Sequence, residues 1–161
     1  MKTGGKNILF DPFITPNPLA EGVNVSTIEP DVILVSHAHG DHIADLVSIA
    51  KQSKALVVCM FEIHEWLHKQ GIENTIPMNI GGTVDIGFAK VKMVNAVHSS
   101  TFPDGTPGGN PAGFVVYNEE VCFYYAGDTA LSLDMKLIAS DFKLGFALLP
   151  IGDHFTMGVD D

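Results

Sequence analysis

The run from Val32 to His42, VILVSHAHGDH, constrains the fold of this chain more than any other stretch. Val32 to Val35 are aliphatic without polar alternation, which fits a strand buried on both faces. His37, His39, Asp41 and His42 follow within six positions. They fall where the strand must end, and Gly40 supplies the backbone freedom for a turn. From Ile43 onward, IADLVSIA takes up helical spacing, with apolar residues at 43, 46, 47 and 50 of a helix predicted over 43–52. Strand, polar turn and helix in succession form a building unit of α/β folds.

In extended backbone the side chains of His37 and His39 point the same way and can grip one cation. Asp41 and His42 lie past the bend, where they can face a second cation beside the first. Imidazole and carboxylate suit zinc, iron, nickel or manganese, so ligand type alone does not name the metal. A helix start with hydrogen-bonded histidines would explain one His there. It explains three His and an Asp poorly.

The same device recurs along the chain. Strands are predicted over 6–10 and 55–60, and as a pair around a turn at Ile86-Gly87. Ala89, Val91 and Met93 alternate there with Lys90 and Lys92, which marks a half-exposed strand ending at His98. Two further strands, 112–117 and 121–126, are joined by Asn118-Glu119-Glu120 and lead into Gly127-Asp128-Thr129. A helix is expected from about 131 to 140, then a last strand over 144–150 that ends at Asp153-His154. Alone, His98 reads as an ordinary turn histidine and Asp128 as a helix N-cap. The Gly- and Pro-rich stretch from Ser99 to Pro111 lacks the GK[ST] of a phosphate-binding loop. It reads as a loop facing substrate or a simple connection.

A second metal motif competes. His64-Glu65-Trp66-Leu67-His68 matches HExxH, in which two His one helical turn apart bind zinc and Glu acts as base. A metalloprotease helix needs a third ligand downstream, and His98 is better used with the cluster at 37–42. The expectation is an ordinary amphipathic helix, closed by Gly71, with Ile63, Trp66 and Leu67 inward and the His pair outward.

Length and charge narrow the partners. At 161 residues and 46% hydrophobic content the chain makes one domain with a real core. Nine lysines, no arginine and nineteen acidic residues give a net charge of −10, which argues against nucleic acid or an anionic membrane as partner. A small-molecule substrate is expected, and a homo-oligomer is compatible with the composition. Cys59 and Cys122 lie in apolar runs and read as buried free thiols. With no stretch of eighteen apolar residues and no apolar leader, a cytoplasmic location is expected.

HAHGDH resembles the HxHxDH signature of the metallo-beta-lactamase superfamily of metal-dependent hydrolases. The phrases GGKNILFDPF, NPAGFVV, YYAGDT and LPIGDHFTMG resemble the branch that includes ascorbate-6-phosphate lactonase, and the resemblance runs from Gly4 to Asp161. It implies an α/β fold, a four-layer αββα sandwich forming a single domain over residues 1–161, with the metal site at the edge between two sheets. Relatives carry an earlier strand ending in a Gly-His-Ser-like phrase and a later strand bearing a final His ligand. Neither is found here, so the domain is expected to be incomplete at both ends.

The resemblance also implies a ligand set. His37, His39 and His98 with Asp128 would hold one divalent ion, and Asp41, His42 and the shared Asp128 a second. Up to two ions are expected, zinc first, with manganese, iron or nickel as alternatives. The DPF turn lies near the metals in the family, so Asp11 either supports the ligands or caps its own turn. Asp153 and His154 are expected beside the ligands or facing substrate. Asp41 is the expected catalytic residue, orienting the attacking water or shuttling its proton. The implied activity is hydrolysis, by a metal-activated hydroxide, of an ester, lactone or phosphoester of a small, anionic molecule. A phosphodiesterase or nuclease of the same superfamily, which would want a basic face, and a non-catalytic metal-binding fragment are the alternatives.

Overall fold

In the computed structural model, which describes residues 1–161, the VILV run is the middle strand of a five-stranded sheet. That first sheet holds β1 (Lys2–Thr3), β2 (Lys6–Phe10), β3 (Val32–Val35), β4 (Leu56–Met60) and β5 (Thr75–Met78), in that spatial order. β2 to β5 run parallel, and β1 is antiparallel to β2. The second sheet has the order β10-β9-β8-β7-β6. It is made of β6 (Thr83–Asp85), β7 (Lys90–Asn95), β8 (Ala112–Tyr117), β9 (Cys122–Tyr125) and β10 (Phe146–Leu148). Only its β9–β10 pair is parallel.

The burial pattern explains the sequence pattern. Every residue of β3 is buried, because one face packs on helices and the other on the second sheet. α2 (Leu46–Ser53) and α3 (Phe61–Lys69) supply the outer cover through Leu46, Ile49, Ile63 and Leu67, all fully buried. On the other side, Val91, Met93, Phe114, Val116 and Phe123 join the same core. The alternate residues Val94, Val115 and Tyr124 face away and pack on Ile138 of α4 (Asp134–Asp141). Helices, sheet, sheet and helix thus form the four αββα layers. No helix is long and apolar enough to cross a membrane.

Some local expectations change. The helix predicted over 43–52 is split into α1 (Gly40–Ile43) and α2, because Asp45 is used elsewhere. Its carboxylate accepts hydrogen bonds from the Ile14 and Thr15 amides and the Thr15 hydroxyl, pinning the Pro-rich loop after β2. α4 starts at Asp134 rather than near 131. β1 and β5 are additional to the strands that the sequence predicts. The HExxH pair is tied to the sheet edge: His64 Nδ1 and His68 Nε2 lie 2.6 and 3.2 Å from the Thr75 hydroxyl of β5, which covers most of His64 while His68 stays 37% exposed. Cys59 and Cys122 are free thiols, the first buried and the second partly so.

Candidate metal centre

The two sheets converge at one edge, and four strand ends deliver polar residues there. Asp11 follows β2, Ser36 and His37 follow β3, His98 follows β7, and Asp128 follows β9. A backbone bond from Ala112 N to Ser36 O, 3.0 Å, ties the sheets together at this edge. Gly127 allows the close approach: its φ is 62°, and a Cβ there would lie 2.7 Å from Ser36 Cβ. Thr129, buried, accepts the Val97 amide at 2.9 Å and so fastens the His98 strand end to the Asp128 turn.

Three imidazoles meet in this edge. The ring nitrogens of His37, His39 and His98 lie within 4.8 Å of one another, and His37 Nε2 is 3.0 Å from His39 Nδ1. α1 carries Asp41 and His42 beside them, with the His37 and His42 ring centroids 4.0 Å apart. Asp128 faces both groups, its Oδ2 3.4 Å from His42 Nε2 and 3.7 Å from His98 Nε2. Asp41 is the most open member, 59% exposed, with Oδ2 3.8 Å from His42 Nε2. Three imidazoles and a shared carboxylate in this arrangement are a donor set suited to a divalent transition metal.

Asp11 organises the rings. Its side chain does not cap its own turn. Oδ1 accepts the Ser36 amide at 2.7 Å, and Oδ2 accepts the Ser36 hydroxyl at 2.6 Å, the Tyr125 hydroxyl at 2.7 Å and His42 Nδ1–H at 2.9 Å. Asp11 sits at φ 40°, a left-handed conformation that an Asp tolerates better than a bulky residue. Asp11 also lies within 4.8 Å of ring nitrogens of His37 and His42, the spacing of a cation site. With Oδ2 already accepting three hydrogen bonds, it fits as a support for the rings rather than as a ligand.

Tautomers follow from these bonds. The single Ser36 proton goes to Asp11, so Ser36 Oγ accepts Nδ1–H of His37 at 2.9 Å and leaves His37 Nε2 bare. His42 gives Nδ1–H to Asp11, so its Nε2 is the nitrogen that faces Asp128. Carboxylate-to-imidazole support of this kind sets ring orientation and raises ligand basicity.

The charges agree with that picture. Burial, with the neighbouring His42 cation, drops the His37 pKa to about 3, so the ring is neutral at pH 7. Burial, with nearby His98, also lowers His39. For His42, burial opposes protonation, but hydrogen bonds to Asp11 and Asp128 outweigh it and raise the pKa to about 10. Its hydrogen bond to His42 in turn holds the Asp128 carboxyl below its usual value despite burial. A metal at His42 Nε2 would therefore replace a proton, coupling metal uptake to proton release.

Asp153 and His154 stand apart from this network. Their turn is anchored by the Met157 amide on Thr129 O at 2.9 Å, yet both residues are exposed and neither side chain bonds to the histidines. Ser36, Tyr125, Thr129 and Ser99 belong to the site and were not singled out from the sequence. Each adjoins or lies near a motif, Ser36 before HAHGDH, Tyr125 and Thr129 in YYAGDT, and Ser99 after His98.

A family model described as a beta-lactamase superfamily domain matches residues 6–159. The chain belongs to that superfamily. A UPF0173 metal-dependent hydrolase of Flavobacterium johnsoniae is 53% identical over all 161 residues, which cover 71% of that protein. A protein of the same description from Methylacidiphilum infernorum is 50% identical, again over the full chain and 71% of its own length. Among solved structures, Igni18, a metallo hydrolase from Ignicoccus hospitalis, superposes with a TM-score of 0.86 at 30% identity. That match covers 99% of this chain and 69% of Igni18. Superfamily membership and the αββα layers thus agree with the site geometry.

Proposed function

We propose that this chain is a metal-dependent hydrolase acting on an ester, lactone or phosphoester of a small molecule, with zinc as the first candidate metal. The observation that carries the reading is the convergence of His37, His39 and His98 within 4.8 Å, with Asp128 turned toward both His98 and His42. His37, His39 and His98 with Asp128 would hold one ion, and Asp41, His42 and the same Asp128 a second. When bound, a divalent cation supplies Lewis acidity and an acidified water near neutral pH.

The remaining roles belong to the chain's own residues. Asp41, open to solvent beside His42, orients the attacking water and takes up its proton at a carboxylate oxygen. Asp128 sits between the two groups of donors and fixes their spacing. Asp11, through Ser36 and directly, keeps His37 and His42 in the tautomers that present Nε2 inward. The loop from Ser99 to Pro111 borders the turn bearing His39 and forms a wall beside the substrate.

The test is a turnover screen of the purified chain over lactones, carboxyl esters and bis-phosphoesters, with zinc or manganese added. Metal-dependent hydrolysis of one class, abolished in Asp41→Asn, is the expected result. No turnover of any class with metal bound would leave this chain a metal-binding protein and overturn the hydrolase reading.

A further inference from the structure

His39 is held differently from its neighbours. His37 and His42 are fixed by Asp11, one through Ser36 and one directly. Only two side chains bond to the half-buried His39 ring: His37 Nε2 lies 3.0 Å from Nδ1, and Ser99 Oγ lies 3.2 Å from Nε2. His37 Nε2 is already bare, so that contact alone draws the His39 proton onto Nδ1. A proton there would close the nitrogen that faces His37 and the cation position. The partner on the other side of the ring decides the matter.

We propose that Ser99 is a positioning residue for the metal bound by His37, His39 and His98, accepting Nε2–H of His39 so that Nδ1 is left free to ligate. The proposal rests on the metal reading above. Ser99 has no other side-chain hydrogen bond, so its own proton is free to turn outward. It directly follows His98, so one backbone step delivers both the third imidazole and the hydroxyl that orients the second.

The surrounding loop fixes where Ser99 stands. Ser100 Oγ accepts the Ala38 amide at 3.2 Å, and Gly108 N donates to Ser100 O at 3.0 Å. A Cβ on Gly108 would lie 2.3 Å from Ala38 Cβ, so only glycine lets the loop press this closely on the 37–39 turn. Farther along, buried Phe102 stacks on Trp66 of α3 at 4.8 Å. The hydroxyl of Ser99 can rotate, while the backbone that carries it is clamped at both ends of the loop.

The experiment is a zinc competition titration against a colorimetric chelator for the parent, Ser99→Ala and Ser99→Thr. Ring-nitrogen NMR of His39 is recorded on each before and after zinc. Supporting oriented ligands of metal sites is typically worth about 10–100-fold in affinity, and Ser99 is exposed enough for the lower end. Ser99→Ala should bind its tightest zinc about tenfold more weakly and shift the zinc-free His39 toward the Nδ1–H tautomer. Ser99→Thr, which keeps the hydroxyl, should stay close to the parent. Equal affinity in the parent and Ser99→Ala would overturn the proposal while leaving the metal reading intact. An equal loss in Ser99→Ala and Ser99→Thr would also overturn it, since the hydroxyl would not be the cause. A parent that takes up no zinc would overturn both.

Discussion

Asp11→Asn isolates the charge at the centre of the site. Asn tolerates the left-handed backbone at φ 40° and nearly matches Asp in volume, so neither strain nor packing should confuse the result. What changes is the acceptor count. Asn keeps one carbonyl oxygen, which can still accept the Ser36 amide, but an NH2 then faces the Ser36 and Tyr125 hydroxyls and His42 Nδ1–H. At least two charge-assisted hydrogen bonds are lost, at about 1.5–3 kcal/mol each, and buried donors are left facing one another. A cost of about 3–5 kcal/mol follows, the range for breaking a buried charged pair. At about 2–4 °C per kcal/mol for a chain of this length, melting should fall by about 6–20 °C. Metal affinity should drop by about 10–100-fold as His37 and His42 lose their fixed tautomers. Denaturant unfolding and chelator competition measure the two effects. Tyr125→Phe removes only one donor from Oδ2 and should cost about 1.5–3 kcal/mol, which gives a folded comparison if Asp11→Asn is too unstable. A variant within about 1 kcal/mol of the parent, with unchanged metal affinity, would refute the role given to Asp11.

Three further outcomes are expected. Asp41→Asn should leave the fold and at least one bound metal intact while removing hydrolysis, because this exposed carboxylate serves the second ion and the water rather than the ion of His37, His39 and His98; unchanged turnover would contradict that. Replacing His64 and His68 together by Gln should leave metal content and activity as they were, since both rings are bonded to Thr75 on the helix-covered side of the first sheet. Chelator-treated protein should be most stable near pH 6.5. His37, lowered to about 3, withholds a proton that the unfolded chain takes up from pH 6.5 downward, so stability falls toward pH 3. His42, raised to about 10, stabilises fully below 6.5 and loses that contribution as pH rises toward 10. Unfolding free energy measured across this range that stays flat on either side would argue against the buried network.

Much of the architecture is written in periodicity. The unbroken VILV run is buried on both faces, and the alternation of Val91 and Met93 with Lys90 and Lys92 matches a strand with one face in the core. What escaped was set by tertiary position. β5 reads TIPM, and Pro77 argues against a strand unless, as here, that strand lies at the edge of its sheet. The placing of the HExxH rings depends on β5 too, because Thr75 is the group to which both are bonded. β1 is only two residues long, Lys2 and Thr3 pairing with Asn7 and Lys6 of β2 across a turn at Gly4 and Gly5, both at positive φ. The histidines and Asp128 stood out because they cluster at strand ends, whereas the bonds from Tyr125 and Ser36 to Asp11 join residues 114 and 25 apart. No local pattern records a hydrogen bond across that distance. The sequence could offer two roles for Asp11, and only the fold distinguishes them.

The central claim is that the convergent histidines are a metal site. Elemental analysis of the purified chain after zinc loading and dialysis against a mild chelator tests it most directly, alongside the triple variant His37→Gln, His39→Gln, His98→Gln. At least one divalent ion should remain per parent chain, held by the three imidazoles and Asp128, and the triple variant should retain none while keeping the parent's circular dichroism. A parent that retains no ion, or a folded triple variant that retains as much as the parent, would contradict the account.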